Sequence, residues 1–131
     1  PDLVHIMSDI QTRREAVYRD FLPMLFKSPP EVEDLEWMVA ETMRIPASIA
    51  SAVLFNQTMQ DYRADLAKVN VPALVITASM KDKLLPTESV KFVHDNMPGS
   101  QYSVFHESNH CPFLEEPERF NREVDAFVCA L

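Results

Sequence analysis

Two kinds of hydrophobic spacing divide the chain near residue 70. Before it, apolar residues recur at three- and four-residue steps, the period of helices that bury one face. Ser8 with Gln11 has the spacing of a capping box, and predicts a helix running through Arg14, Val17 and Tyr18 to about Met24. Ser28-Pro29-Pro30-Glu31 reads as a stronger start, with a serine cap, proline at the first helical position and glutamate at the third. The helix that follows carries Val32, Leu35, Met38, Val39 and Met43 along one stripe. Pro46 opens a third helix, with Ile49, Ala50, Val53 and Leu54 on one face and an end near Gln60. Residues 61–66 read as a short, turn-like connector.

From residue 71 the period changes. Residues 73–78 form a continuous β-prone apolar run, which suits a parallel strand buried on both faces. A polar loop over 79–86, a helix over 87–96, a turn at Pro98-Gly99, a second strand over 101–106 and a second loop over 107–112 follow. The last helix is predicted from about Pro117, with Phe120, Val124, Phe127 and Val128 facing inward. The order strand, helix, strand, helix predicts a right-handed crossover unit with parallel strands. Two parallel strands need neighbours and cover on both faces. The missing strands are expected from another polypeptide or another copy of this chain.

Composition narrows the chemistry. At 131 residues, 47% of them hydrophobic, the chain has the makings of one packed domain. Its net charge of −8 argues against nucleic acid or an anionic membrane as partner. No apolar run approaches the ~18 residues of a membrane span, and Pro1-Asp2-Leu3-Val4-His5 lacks the zones of a signal peptide. The missing initiator methionine suggests processing, cleavage or truncation. Cys111 and Cys129 are too few for a disulfide framework and fit thiols in a reducing cytosol. His5, His94, His106 and His110 form no H-E-x-x-H pair, and the cysteines no C-x-x-C, so no metal site is expected.

Glycine is the most informative absence. Average usage predicts roughly nine; the chain has one, Gly99. Neither G-x-G-x-x-G nor a Walker A loop can be written, so nucleotide chemistry is not expected. A G-x-S-x-G nucleophile elbow needs two glycines, so none of the nine serines can occupy one. Asp82 and His110, each just past a strand, nevertheless have the chemistry of the acid and base that activate a serine.

The series Asp61-Tyr62-Arg63-Ala64-Asp65-Leu66, Val71-Pro72-Ala73-Leu74-Val75-Ile76, Asp82, Pro86, Pro98-Gly99-Ser100, His110 and Phe113-Leu114-Glu115-Glu116-Pro117-Glu118-Arg119-Phe120 resembles the C-terminal part of α/β-hydrolase fold enzymes. The likeness covers roughly residues 60–131, and its specificity lies in the order of the motifs. It implies an α/β fold: a helical cap over residues 1–60, inserted after the family's sixth strand, then a β-α-β-α unit over 61–131 holding the seventh and eighth strands. It also implies Asp82 as triad acid and His110 as triad base, with the nucleophilic serine and oxyanion hole outside this chain. Two departures stand out. Where many relatives have glycine before the acid and the histidine, this chain reads Ala78-Ser79-Met80-Lys81 and Glu107-Ser108-Asn109.

Each residue also has a plainer reading. Asp82 between Lys81 and Lys83 could be a solvated loop carboxylate, with Glu88 as reserve acid, although Glu88 is expected in a helix's first turn where it favours the dipole. His94 and His106 read as helix-surface and strand-end residues. Cys111 beside His110 reads as pocket wall rather than nucleophile. Phe21, Met24, Leu25, Phe26, Trp37 and Met38 read as helix packing or, with Leu84 and Cys111, as contacts to an apolar acyl or alcohol group.

The expected function is part of a cofactor-free serine hydrolase acting on a carboxylic ester or lactone in the cytoplasm. The alternatives are a cofactor-free haloperoxidase or perhydrolase, a C–C bond hydrolase, or a non-catalytic half-fold interaction module. The expected partners are the small-molecule substrate and the missing N-terminal half of the fold or another copy of the chain, with neither nucleic acid nor membrane.

Overall fold

Prolines and a single main-chain break set the helix boundaries in the first half of the chain. The computed structural model describes residues 3–78 and 86–131. Helix α1 spans Leu3–Thr12 and α2 spans Arg14–Phe21, with the break at Arg13 (φ −143°, ψ 37°). Ser8 therefore lies inside a helix and caps nothing; its carbonyl accepts a bond from the Thr12 hydroxyl at 2.8 Å. The apolar residues Ile6, Met7 and Ile10 continue the helical face through it, and packing of that face outweighs the local capping preference.

A 3₁₀ turn, Leu22–Leu25, follows α2, and α3 then spans Val32–Met43. It begins three residues past the expected proline, because Pro30 bars Pro29 from helical geometry. Helix α4 spans Ala47–Met59 after an extended Pro46. Its inner face is Ala47, Ala50, Ser51 and Leu54, while Ile49 and Val53 are exposed. Ser51, only 2% exposed, sits against α1 with its hydroxyl 3.4 Å from the Met7 carbonyl. On α3 the inner residues are Leu35, Met38 and Val39, whereas Val32 and Met43 are exposed. Buried Arg14, at the head of α2, donates to the carbonyls of Met43 (2.6 Å) and Ile45, satisfying acceptors at the end of α3. Arg19 of α2 forms a forked pair with Glu36 of α3, which holds the Glu36 carboxyl below its usual range.

The chain divides into two units, residues 1–24 with 28–61, and residues 25–27 with 62–131. The second opens with a 3₁₀ segment, Arg63–Lys68, and contains β1 (Leu74–Ala78), α5 (Thr87–Asp95), β2 (Gln101–Phe105), α6 (Pro112–Glu115) and α7 (Pro117–Cys129). The strands are parallel, pairing Leu74 with Gln101 through Ala78 with Phe105. Helices cover both faces of β2. Ser103 and Phe105 meet Glu123 and Phe120 of α7, while Tyr102 on the other face stacks on His94 of α5 at 5.0 Å. His94 is thus half-buried rather than a surface residue, and it holds the Ser100 hydroxyl at 2.8 Å. Val128 is exposed, leaving Phe120, Val124 and Phe127 as the apolar inner face of α7.

The two sheet edges differ. Gln101 donates its N–H to the Ala73 carbonyl at 2.8 Å, and alternation along a strand turns Val104 the other way. There Arg119 donates to the Val104 carbonyl at 2.9 Å and covers the outer edge of β2. Among the described residues, β1 pairs with β2 alone.

Gly99 closes the turn into β2 with φ +75°, and a Cβ there would meet nothing within 4 Å. Gly99→Ala therefore tests the backbone term alone. It is expected to lower unfolding stability by roughly 1–2 kcal/mol in urea titration; an unchanged midpoint would contradict the assigned turn.

Candidate functional site

Both strands end where the loop over residues 106–111 turns back toward α6, and His110 stands near the end of that loop, half-buried. Two prolines give the segment its shape. Pro112 and Pro117 each occupy the start of a helix, where the missing N–H costs nothing. The short α6 is an element that the sequence pattern did not predict, and its first turn closes on the Cys111 carbonyl, which accepts from Leu114 (2.9 Å) and Glu115 (3.0 Å).

Glutamates on this segment take up the polar groups of the histidine loop. Ser108, fully buried, donates its hydroxyl to Glu116 Oε2 at 2.6 Å. Glu115 accepts two main-chain bonds, the Asn109 N–H at Oε2 and the Lys27 N–H at Oε1, each at 2.7 Å. His110 donates its own N–H to the Leu25 carbonyl at 2.8 Å. The Asn109 side chain reaches the Phe26 carbonyl at 3.4 Å, and Lys27 pairs with Glu107. Residues 25–27 are thus strapped against the histidine loop by bonds aimed mostly at the main chain.

A second cluster lies behind the loop. Arg119 lies over the Phe105 ring at 4.1 Å and pairs with Glu123 at 2.7 Å and Glu116 at 3.5 Å. Glu123 also accepts the Ser103 hydroxyl. Burial pushes the Glu123 carboxyl up, but the Ser103 hydroxyl and the Arg119 guanidinium outweigh it and hold the group below the ordinary value of 4.5.

A cavity of about 280 Å³ opens at the C-terminal end of the strands. Ile76, Thr77 and Ala78 of β1, Val90 of α5, and Phe113 and Phe120 supply an apolar wall, and Asn109 and His110 its polar part. An apolar cavity carrying one imidazole can bind an uncharged group beside a base. Among the described residues, no three His, Cys, Asp or Glu side chains are grouped so as to hold a metal ion. No single helix there is long and apolar enough to cross a membrane; α3 and α4 reach that length and composition only together, and they are bent by 92°.

Of the residues singled out by sequence, His110 lines this cavity, and Cys111 is buried but is not part of its lining. Leu25 contributes its carbonyl to the His110 amide. Asp82 and Leu84 lie outside the described residues. Glu88 is in the first turn of α5, as anticipated. Phe21 and Met38 are half-buried in the first unit, and Met24 and Trp37 are exposed. Sequence reasoning missed the roles of Ser108, Asn109, Glu115, Glu116 and Arg119. The run Phe113–Phe120 contained most of them, yet partners such as the Lys27 amide for Glu115 and the Val104 carbonyl for Arg119 are main-chain groups that no local pattern displays.

Comparison with known proteins adds a second line. No family model matches the chain. Over 95 residues it is 32% identical to an uncharacterized protein of Mycobacterium tuberculosis, covering 64% of this chain and 27% of that one. Over 70 residues it is 31% identical to a pimeloyl-(acyl-carrier protein) methyl ester esterase of Serratia marcescens, covering 53% of this chain and 27% of the esterase. Among solved structures, an esterase from Exiguobacterium antarcticum matches 96% of this chain with a TM-score of 0.89 at 24% identity. The match takes in 47% of that esterase, so the chain spans about half of it and about a quarter of the two curated relatives.

The Glu123 cluster predicts a pH dependence of stability. A carboxyl whose folded pKa lies below its unfolded one contributes stability that is present above 4.5, its ordinary value, and is lost as pH falls through the lower folded value. Glu123→Gln is expected to remove that part of the acid limb when urea midpoints are measured against pH. An acid limb identical to that of the parent protein would show that the carboxylate adds nothing.

Proposed function

From the premise that this chain is the C-terminal portion of an α/β-hydrolase fold, we propose that it supplies the acid and base of a cofactor-free serine hydrolase acting on a carboxylic ester or lactone. The observation that carries the reading is the placement of His110. It stands in the loop that follows a parallel strand pair, lines a largely apolar cavity, and has its main-chain N–H bonded to the Leu25 carbonyl. Sites of open α/β sheets lie at that end.

In this reading a serine outside the chain attacks the substrate carbonyl while the His110 imidazole takes its proton. As the tetrahedral intermediate collapses, His110 returns that proton to the leaving alkoxide, and an acyl-serine and an alcohol (for a lactone, the ring-opened hydroxyl) result. Water then attacks the acyl group, His110 accepts a water proton, and the proton passes to the departing serine as the carboxylic acid is released. Asp82, four residues past β1 in sequence, is the carboxylate assigned to orient the imidazole and balance its charge. The proposed cap residues Phe21, Met24, Leu25, Trp37 and Met38, with Leu84 and Cys111, would give the acyl or alcohol group apolar contacts.

The rest of the sheet would join at β1. Arg119 already occupies the outer edge of β2, whereas the edge of β1 away from β2 is the one a strand from the N-terminal half, or from another copy, can extend. The cytoplasm is the proposed location, where Cys111 and Cys129 would stay thiols.

In the complete protein, His110→Ala is expected to abolish hydrolysis of a p-nitrophenyl ester. Asp82→Asn should lower kcat by about 10³–10⁴-fold with the fold intact by circular dichroism. Full turnover of His110→Ala would remove the triad reading, and near-normal turnover of Asp82→Asn would move the acid elsewhere. Peroxide-dependent halide oxidation in place of ester turnover would favour the haloperoxidase reading.

A further inference from the structure

The histidine loop, residues 106–111, contains no glycine, and hydrogen bonds hold its main chain. Ser108 is fully buried and Asn109 half-buried, so this loop cannot rely on a freely turning residue. The links around it form a short ladder to residues 25–27. The Leu25 carbonyl receives the His110 amide directly, and the Lys27 and Asn109 amides meet on the two oxygens of Glu115. One carboxylate thereby joins main-chain groups on segments 82 residues apart in the chain. Bonds from amides to a charged acceptor are short and stronger than neutral ones.

We propose that Glu115 is a positioning residue for His110: its carboxylate, shared between the Lys27 and Asn109 amides, keeps the Leu25–His110 bond in register and so fixes where the imidazole meets the cavity. The catalytic consequence rests on the hydrolase reading above, while the geometric claim does not. Only a carboxylate suits the place, because both facing groups are donors. A glutamine offers one acceptor oxygen and one NH₂ donor, which would oppose an amide N–H. An aspartate is one methylene too short to reach both. The residue also couples the histidine to the chain segment on which the 3₁₀ turn Leu22–Leu25 ends.

The test compares Glu115→Gln with Ser103→Ala in the complete protein. Ser103→Ala removes a side-chain bond in the same unit, to Glu123, and touches neither the loop nor the cavity. Both variants should lose some thermal stability. Glu115→Gln alone should speed amide exchange of Lys27, Asn109 and His110 by about 10-fold or more, and shift the His110 imidazole signals in NMR spectra. It should also lower kcat by roughly 10- to 100-fold with little change in KM, as a misplaced catalytic group does. If Glu115→Gln does not fold, Glu115→Asp is read in the same way. An unchanged His110 amide and imidazole in the folded variant overturns the proposal. If those signals move while neither this variant nor His110→Ala slows hydrolysis, the hydrolase reading falls and the hold of Glu115 on His110 stands.

Discussion

Parallel pairing of Leu74–Ala78 with Gln101–Phe105 is the constraint from which the site follows. Parallel strands leave the sheet at the same end, so Ala78 and Phe105 finish side by side and the histidine loop starts there. The pairing also forces α5 to cross over between the strands, and α7 covers the opposite face of β2. Arg119 takes up the Val104 carbonyl on the outer edge of β2, and among the described residues the other edge of β1 pairs with no strand. Direction, cover and edge polarity are thus set by ten residues and one arginine.

The acidic character of the chain takes on a local meaning around this end. Glu115, Glu116 and Glu123 all lie on the segment that follows the histidine loop, and each accepts a bond from a group on β2 or on that loop. Arg119 offsets their charge, pairing with two of them and stacking on Phe105. The cluster is partly exposed, so its ion pairs add little to stability by themselves. Its larger effect is geometric, since Glu115 holds the Asn109 and Lys27 amides and Glu116 holds the Ser108 hydroxyl just before His110.

Much of the second unit was legible in the sequence. The run of apolar residues after Pro72 placed β1 within one residue, and Pro98-Gly99 marked the turn before β2, because both signals are local and steric. The first unit was less legible, for two physical reasons. The Ser8–Gln11 spacing matched a cap, but apolar residues upstream carried the helix past it. On α4 the expected face of Ile49, Ala50, Val53 and Leu54 holds for Ala50 and Leu54, while Ala47 and Ser51 take the inner places of the exposed Ile49 and Val53, since small side chains let α1 approach. The supporting residues of the site were hidden for another reason. Glu115 stood in the sequence only as one member of the run Phe113–Phe120, and its bond to the Lys27 amide, 88 residues away, has no local signal. Asp82, the other half of the assigned pair, lies outside the described residues.

The central claim is that His110 activates a serine that this chain does not contain. Labelling the complete protein with a serine-directed phosphonate, then mapping the adduct by mass spectrometry, tests it most directly. One adduct is expected, on a serine outside these 131 residues, and it should fail to form in His110→Ala. An adduct on any of the nine serines of this chain, or one that forms equally well without His110, would contradict it.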